Sequence, residues 1–242
     1  MMKMNFDADP VSSNNRFRER RMKMFLSVLD RIAEPSAPLR ILDVGGEPYH
    51  WLAFRHLLAG RELEITLFNL KEFDVEDHQL RSVVGDATDL SRFRQNEFDI
   101  VYSNSVIEHV GGWAEMRRMA EGITRLSKSY FIQTPYFWFP IEPHFRFPCF
   151  HWLPEPLRLR LVMSRSLGFY PRASSVDAAM KMIEGSVLLS RTQFQSLFPG
   201  AQIVSERFGP LAKSLIAVSL GTNPALPGSS RRGERSFPMQ RA

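Results

Sequence analysis

Three stretches of the chain set small residues beside strong hydrogen-bonding groups: Asp43-Val44-Gly45-Gly46, Gly85-Asp86-Ala87 and Ser103-Asn104-Ser105-Val106-Ile107-Glu108-His109-Val110. Glycine lets backbone approach a ligand closely, and carboxylates accept from ribose hydroxyls or amines. A fourth stretch, from Pro135 to Phe145, places His144 and Glu142 among aromatic side chains. Imidazole titrates near neutral pH, so His144 and His109 are the candidates for a general base.

The first three stretches lie at the ends of short apolar runs. Such runs occupy 39–44, 63–69, 81–85, 98–103 and 129–134, with helical or loop segments between them. Nearly continuous apolar runs of strand length predict a parallel sheet covered on both faces, and their alternation with helices predicts a doubly wound α/β fold. Sheets of this kind bind ligands at the carboxyl ends of their strands, which is where the three stretches fall. Helical spacing of Phe17, Phe25, Val28, Leu29 and Ile32 predicts an amphipathic helix over 14–33, ended by the proline-rich 34–38. A second helix over 112–128 is expected to bury Trp113, Met116, Ala120 and Ile123. The rhythm breaks at 135–190, where eight aromatics and four prolines crowd 135–152 and a helix is expected near 155–167. A short helix at 191–198 and strands at 201–208 and 213–220 follow, the two strands forming an antiparallel edge pair. The domain reading is an N-terminal helical segment 1–38, a domain 39–220 with an acceptor-side insertion 135–190, and a disordered basic tail 221–242.

The succession ILDVGG, GDATDL and FDIVYSNSVIEHV resembles class I S-adenosylmethionine-dependent methyltransferases of the small-molecule, type 11-like kind. The resemblance covers roughly 39–134, and 191–220 fits the family's closing helix and strand pair. It implies a Rossmann-like doubly wound seven-stranded sheet with an antiparallel last strand and an insertion after the fifth strand. It also implies S-adenosyl-L-methionine as cofactor, with Asp43, Gly45 and Gly46 lining its methionine end, Asp86 and Ala87 meeting adenine, and Asn104 and Ser105 beneath the sulfonium. Two positions depart from the family pattern. Glu47, Pro48 and Tyr49 stand where further glycines are usual, Pro48 suiting the first turn of a helix. Asn69 stands where a carboxylate usually grips both ribose hydroxyls; an amide bonds a hydroxyl without charge assistance, and Glu72 or Asp74 are possible substitutes. The segment after the fifth strand is similar to one in methyltransferases of bacterial polysaccharide or glycolipid assembly. The expected acceptor is a small molecule, saccharide or glycolipid, methylated at oxygen. Such transfer needs in-line alignment, exclusion of water and a deprotonated hydroxyl, and aromatic walls suit a sulfonium cation.

Composition narrows the partners. The formal charge of +5 is concentrated at the ends, with five basic residues against one acidic in 12–23 and four arginines against one glutamate in 221–242. Nucleic acid is disfavoured as acceptor: 103–106 lacks the Asn/Asp-Pro-Pro-aromatic clamp, Pro148-Cys149 lies well past the fifth strand, and Arg146 is the one Lys or Arg in 135–152. The single cysteine excludes an internal disulfide, and the N-terminus does not read as a signal peptide, so a cytoplasmic location is expected. Peripheral membrane contact through Leu157–Val162 is a minor reading because Arg158 and Arg160 do not gather on one helical face. Glu142, His144 and His151 match no established metal-ligand spacing, so no metal is expected. Other readings stay open: a satellite core for the aromatic run, an ordinary turn role for His109, and loop roles for Glu108, Glu142 and His151. At the level of function the alternatives are a non-catalytic binding protein of this fold and a dinucleotide-dependent oxidoreductase. The latter is opposed by Asn69 and by the absence of GxGxxG.

Overall fold

The computed structural model describes residues 13–32 and 38–221, so the tail expected at 221–242 lies, beyond its first residue, outside the described residues. The leading helix α1 spans Ser13–Ile32. Met22, Phe25, Val28 and Leu29 are fully buried on one of its faces. Strand β1 (Leu39–Val44), helices α2 (Pro48–Ala53) and α3 (Arg55–Leu58), and strands β2 (Leu63–Asn69), β3 (Leu80–Val84) and β4 (Ile100–Asn104) follow. After β4 come a single 3₁₀ turn at Ile107–His109, helix α4 (Trp113–Leu126) and strand β5 (Tyr130–Pro135). The remaining described elements are helices α5 (Glu155–Ser164), α6 (Val176–Glu184) and α7 (Arg191–Leu197) and strands β6 (Gln202–Phe208) and β7 (Leu211–Ser219).

Seven strands form one sheet in the order β3-β2-β1-β4-β5-β7-β6. The first five pair in parallel, and β7 runs antiparallel between β5 and β6. A six-strand dinucleotide fold runs 3-2-1-4-5-6, so the reversed β7 speaks against the oxidoreductase reading.

The strand period of two divides the core between the faces. Ile41, Ile100, Phe131 and Ile216 pack on the α1 side with Phe25 and Leu29. Their neighbours Leu42, Val101, Ile132 and Leu215 pack on the other side with Met116, Met119, Ile123 and Phe194. This double coverage is why β1 and β4 read as nearly continuous apolar runs.

Two expectations need correction. Helical spacing places Trp113 on the buried face of α4, but it is 42% exposed. It sits in the first turn beyond the packed stripe, and Met119 completes that stripe instead. In the insertion, the expected helix is shorter, and α6 was not foreseen. Phe145, Phe150, Val162, Ala179 and Ile183 form a third, separate core there. Part of the aromatic run is thus a satellite core, as the alternative reading held.

Candidate active site

The turn after β1 is held from three directions. Gly45 adopts a left-handed φ of 79°, and its N–H donates to Phe68 O at 2.7 Å. A Cβ on Gly45 would lie 2.3 Å from Val106 Cγ2, so the turn packs directly on the loop after β4. The Asn69 amide donates to the carbonyl oxygens of both Gly45 and Gly46 at 3.1 Å. Asn69 therefore clasps the glycine turn, a role its position alone did not suggest. Replacing Gly45 with alanine combines left-handed strain with overpacking, each of order 1–3 kcal/mol, for an expected loss of roughly 2–4 kcal/mol. Denaturant unfolding measures this, and an added Val106→Ala change is expected to restore the steric part alone.

Asp43 lies beneath the turn and is 2% exposed. Its Oδ2 accepts from Trp51 Nε1 at 2.7 Å, from the helix that Pro48 opens. Burial pushes the carboxyl up to about 7, against the lowering effect of that indole bond and with a small contribution from the Glu47 charge. His50 bonds the buried Tyr102 hydroxyl at 2.9 Å. Burial, reinforced by Arg21 and Arg18, lowers its imidazole to about 3 and keeps it neutral.

At the end of β3, Asp86 is exposed and its Oδ1 accepts from the Thr88 N–H and hydroxyl, both at 2.8 Å. This is an Asx turn, and Ala87 beside it is half-buried. Glu72 and Asp74, in the loop after β2, are both exposed.

At the end of β4, Asn104 and Ser105 are set by a network that reaches across the sheet. The Arg21 guanidinium of α1 donates to Asn104 Oδ1, to Gln133 Oε1 at 3.1 Å and to Glu206 Oε2 at 2.7 Å. Ser105, in a left-handed conformation with φ 57°, donates to Gln133 Oε1 at 2.8 Å. Ser214 donates to Glu206 Oε2 at 2.7 Å. The β6–β7 register shifts between Glu206 and Arg207; such irregularities re-aim side chains at sites. Sequence reasoning missed Arg21, which it had counted only as a basic residue on a helix.

The acceptor-side candidates come together. His109 and His144, 35 positions apart, approach at 3.1 Å between their Nε2 atoms. His144 Nδ1 meets Glu142 Oε1 at 2.7 Å, and His109 Nδ1 meets Gly185 O at 2.6 Å. Burial works against a charge on His144, but the hydrogen bond and charge of Glu142, with Glu108 behind, raise its affinity for a proton overall. Glu108 is fully buried. Its Oε2 accepts from Thr134 at 3.0 Å, while Oε1 has no partner among the described residues. The insertion brackets this turn from both sides, His144 arriving from one segment and Val187 N–H bonding Glu108 O at 2.7 Å from another. Glu108 and Glu142 are therefore not ordinary loop residues. His151 is not part of the group; it bonds Phe137 O at 2.6 Å. Cys149 is partly buried with a left-handed φ of 56°.

Residues 54–130 match a family model described as a methyltransferase domain. A search of curated proteins finds no match. Among solved structures, the chain is similar to the CurJ carbon methyltransferase, at 11% identity and TM-score 0.52, over 85% of this chain and 54% of that one. It is similar to the DszA carbon methyltransferase at 16% identity and TM-score 0.52, over 87% and 55%. It is also similar to the N-terminal domain of EvdMO1, solved in the presence of SAH and D-fucose, at 17% identity and TM-score 0.50, over 87% and 85%. The chain thus spans little more than half the length of the first two. Domain match and topology together identify it as a protein of the class I methyltransferase fold.

Proposed function

We propose that this chain transfers a methyl group from S-adenosyl-L-methionine to a hydroxyl of a small-molecule or saccharide acceptor. The observation that carries the reading is that the Asp43–Gly46 turn, the Asp86 turn and the Asn104–Ser105 loop all follow the carboxyl ends of the parallel strands β1, β3 and β4, on one edge of the sheet. The donor set fits the cofactor: a buried carboxyl pushed up to about 7 has no cationic partner among the described residues, and the methionine ammonium would supply one. Asp86 keeps one carboxylate oxygen outside its turn bonds for the adenine amine. Asn104 and Ser105 support the sulfonium end. The aromatic insertion, with Trp138 59% exposed, supplies apolar surface for an acceptor, and the His109–His144 pair is where its hydroxyl is activated. Transfer then consists of the acceptor oxygen forming a bond to the methyl carbon as the carbon–sulfur bond breaks, leaving a neutral thioether.

Calorimetric titration with S-adenosylhomocysteine tests the reading. Binding in the micromolar range is expected, and Asp86→Ala should weaken it about tenfold, equivalent to about 1.4 kcal/mol for one lost polar contact. No heat at high micromolar ligand, with the protein folded, would sink it. One observation favours a second reading, a cofactor-binding protein without chemistry. Asn69 commits its amide to the turn, so this position brings neither a carboxylate nor a free amide donor to the ribose. Cofactor binding without methyl turnover across pools of small-molecule and saccharide acceptors would mark that case.

A further inference from the structure

Two hydrogen bonds fix the tautomers of the facing imidazoles. A carbonyl oxygen only accepts, so His109 Nδ1 carries a hydrogen toward Gly185 O, 2.6 Å away. The carboxylate of Glu142 likewise takes the hydrogen on His144 Nδ1 at 2.7 Å. In their neutral forms both rings then direct Nε2 lone pairs at each other across 3.1 Å. Something positive must stand between them. A shared proton would satisfy the two rings but would leave Glu108 Oε1 without a partner in a fully buried side chain. Ligand atoms of Glu108, His109 and His144 all lie within 4.8 Å of one another. One cation among them would engage all three.

We propose that Glu108, His109 and His144 form a binding site for one divalent transition-metal ion, zinc being the first candidate. Tetrahedral zinc with nitrogen ligands at about 2.0–2.1 Å holds ligand atoms about 3.3 Å apart, close to the separation of the two Nε2 atoms. Three protein ligands with an open fourth position is the arrangement of catalytic rather than structural zinc. The outer partners are also in place. Metal-binding imidazoles donate their second N–H to a carboxylate or a backbone carbonyl, as His144 does to Glu142 and His109 to Gly185. His109 is exposed, which gives the ion a route in.

This ion's catalytic role rests on the methyltransferase reading; its binding does not. In that role the acceptor hydroxyl takes the open position and loses its proton to solvent, because a bound cation lowers the pKa of its oxygen ligand. That oxygen then forms the new bond to the methyl carbon, and the electrons of the breaking bond return to sulfur.

The test uses the full chain, stripped of metal and titrated with zinc chloride, alongside cobalt(II) absorption spectroscopy. One equivalent per chain is expected, with the visible intensity of tetrahedral cobalt. His109→Ala, at an exposed position, should fold normally by circular dichroism and bind zinc at least about tenfold more weakly. Glu108→Gln should weaken binding as well. Equal zinc affinity in wild type and His109→Ala, or no binding at about 100 μM zinc, would overturn the proposal. S-adenosylhomocysteine titration of the same metal-free protein separates the two ideas. Zinc bound at this site without cofactor binding keeps the metal site and discards the methyltransferase reading, and the converse result does the opposite.

Discussion

Asp43→Asn is expected to stabilise the ligand-free protein at alkaline pH and to weaken cofactor binding at the same time. The ordinary value for this carboxyl is 3.8, and burial brings it to about 7 in the folded chain. The folded state therefore holds this proton more tightly than the unfolded chain does. Its contribution to stability is fully present below about pH 4 and is lost as pH rises toward and through 7. A difference of about three pKa units corresponds to roughly 4 kcal/mol lost above pH 7. An amide cannot ionise, so the variant escapes that loss. Its Tm should exceed that of the wild type by about 10 °C at pH 8, and the gap should close near pH 4. The cofactor result runs the other way. An ammonium beside Asp43 favours the carboxylate, so wild-type binding at pH 6 should release a proton, and the variant should bind more weakly and release none. Calorimetry in buffers of different ionisation enthalpy reads that proton directly. Identical proton release by both proteins would remove Asp43 from the cofactor site.

The second large effect is expected at Arg21. Its bond to Glu206 joins side chains only 9% and 4% exposed. Removing one partner of a buried pair leaves the other charge stranded, at about 3–5 kcal/mol. Arg21→Ala should therefore lower stability by that amount in urea unfolding, and it also frees Asn104 and Gln133 from their shared donor. Adding Glu206→Gln removes the stranded charge while keeping an acceptor for Ser214. The double variant should recover at least half of the loss. Additivity of the two single changes would mean that the pair is not coupled as its geometry implies.

The frame of the molecule was legible because it is written locally. Ile41, Leu42 and Val44 and Ile100 to Tyr102 form short apolar runs of strand length, and Met116, Ala120 and Ile123 repeat at helical spacing. These patterns survive without knowledge of neighbours. Trp113 shows their limit, since periodicity assigns a face but not where the packed stripe ends. The site was legible only as a set of loops. Nothing in the order Glu108-His109 and Glu142-Pro143-His144 says that two imidazoles meet, because their contact depends on how the insertion folds back. Asn69 invited a comparison with carboxylates, whereas its amide is occupied by the carbonyls of the adjacent turn. Arg21 lies outside the β-α rhythm altogether, and its partners come from three different strands.

The link between Arg21 and Glu206 spans 185 positions, and this separation has a consequence for biosynthesis. A ribosome adding about 5–20 residues per second makes the helix roughly 10–40 s before it makes the acid. During that interval the nascent chain carries a finished amphipathic segment whose Met22, Phe25 and Leu29 have no completed sheet to cover them. The last two strands are thus a late keystone, and a chain stalled before them should recruit holding chaperones through its first helix.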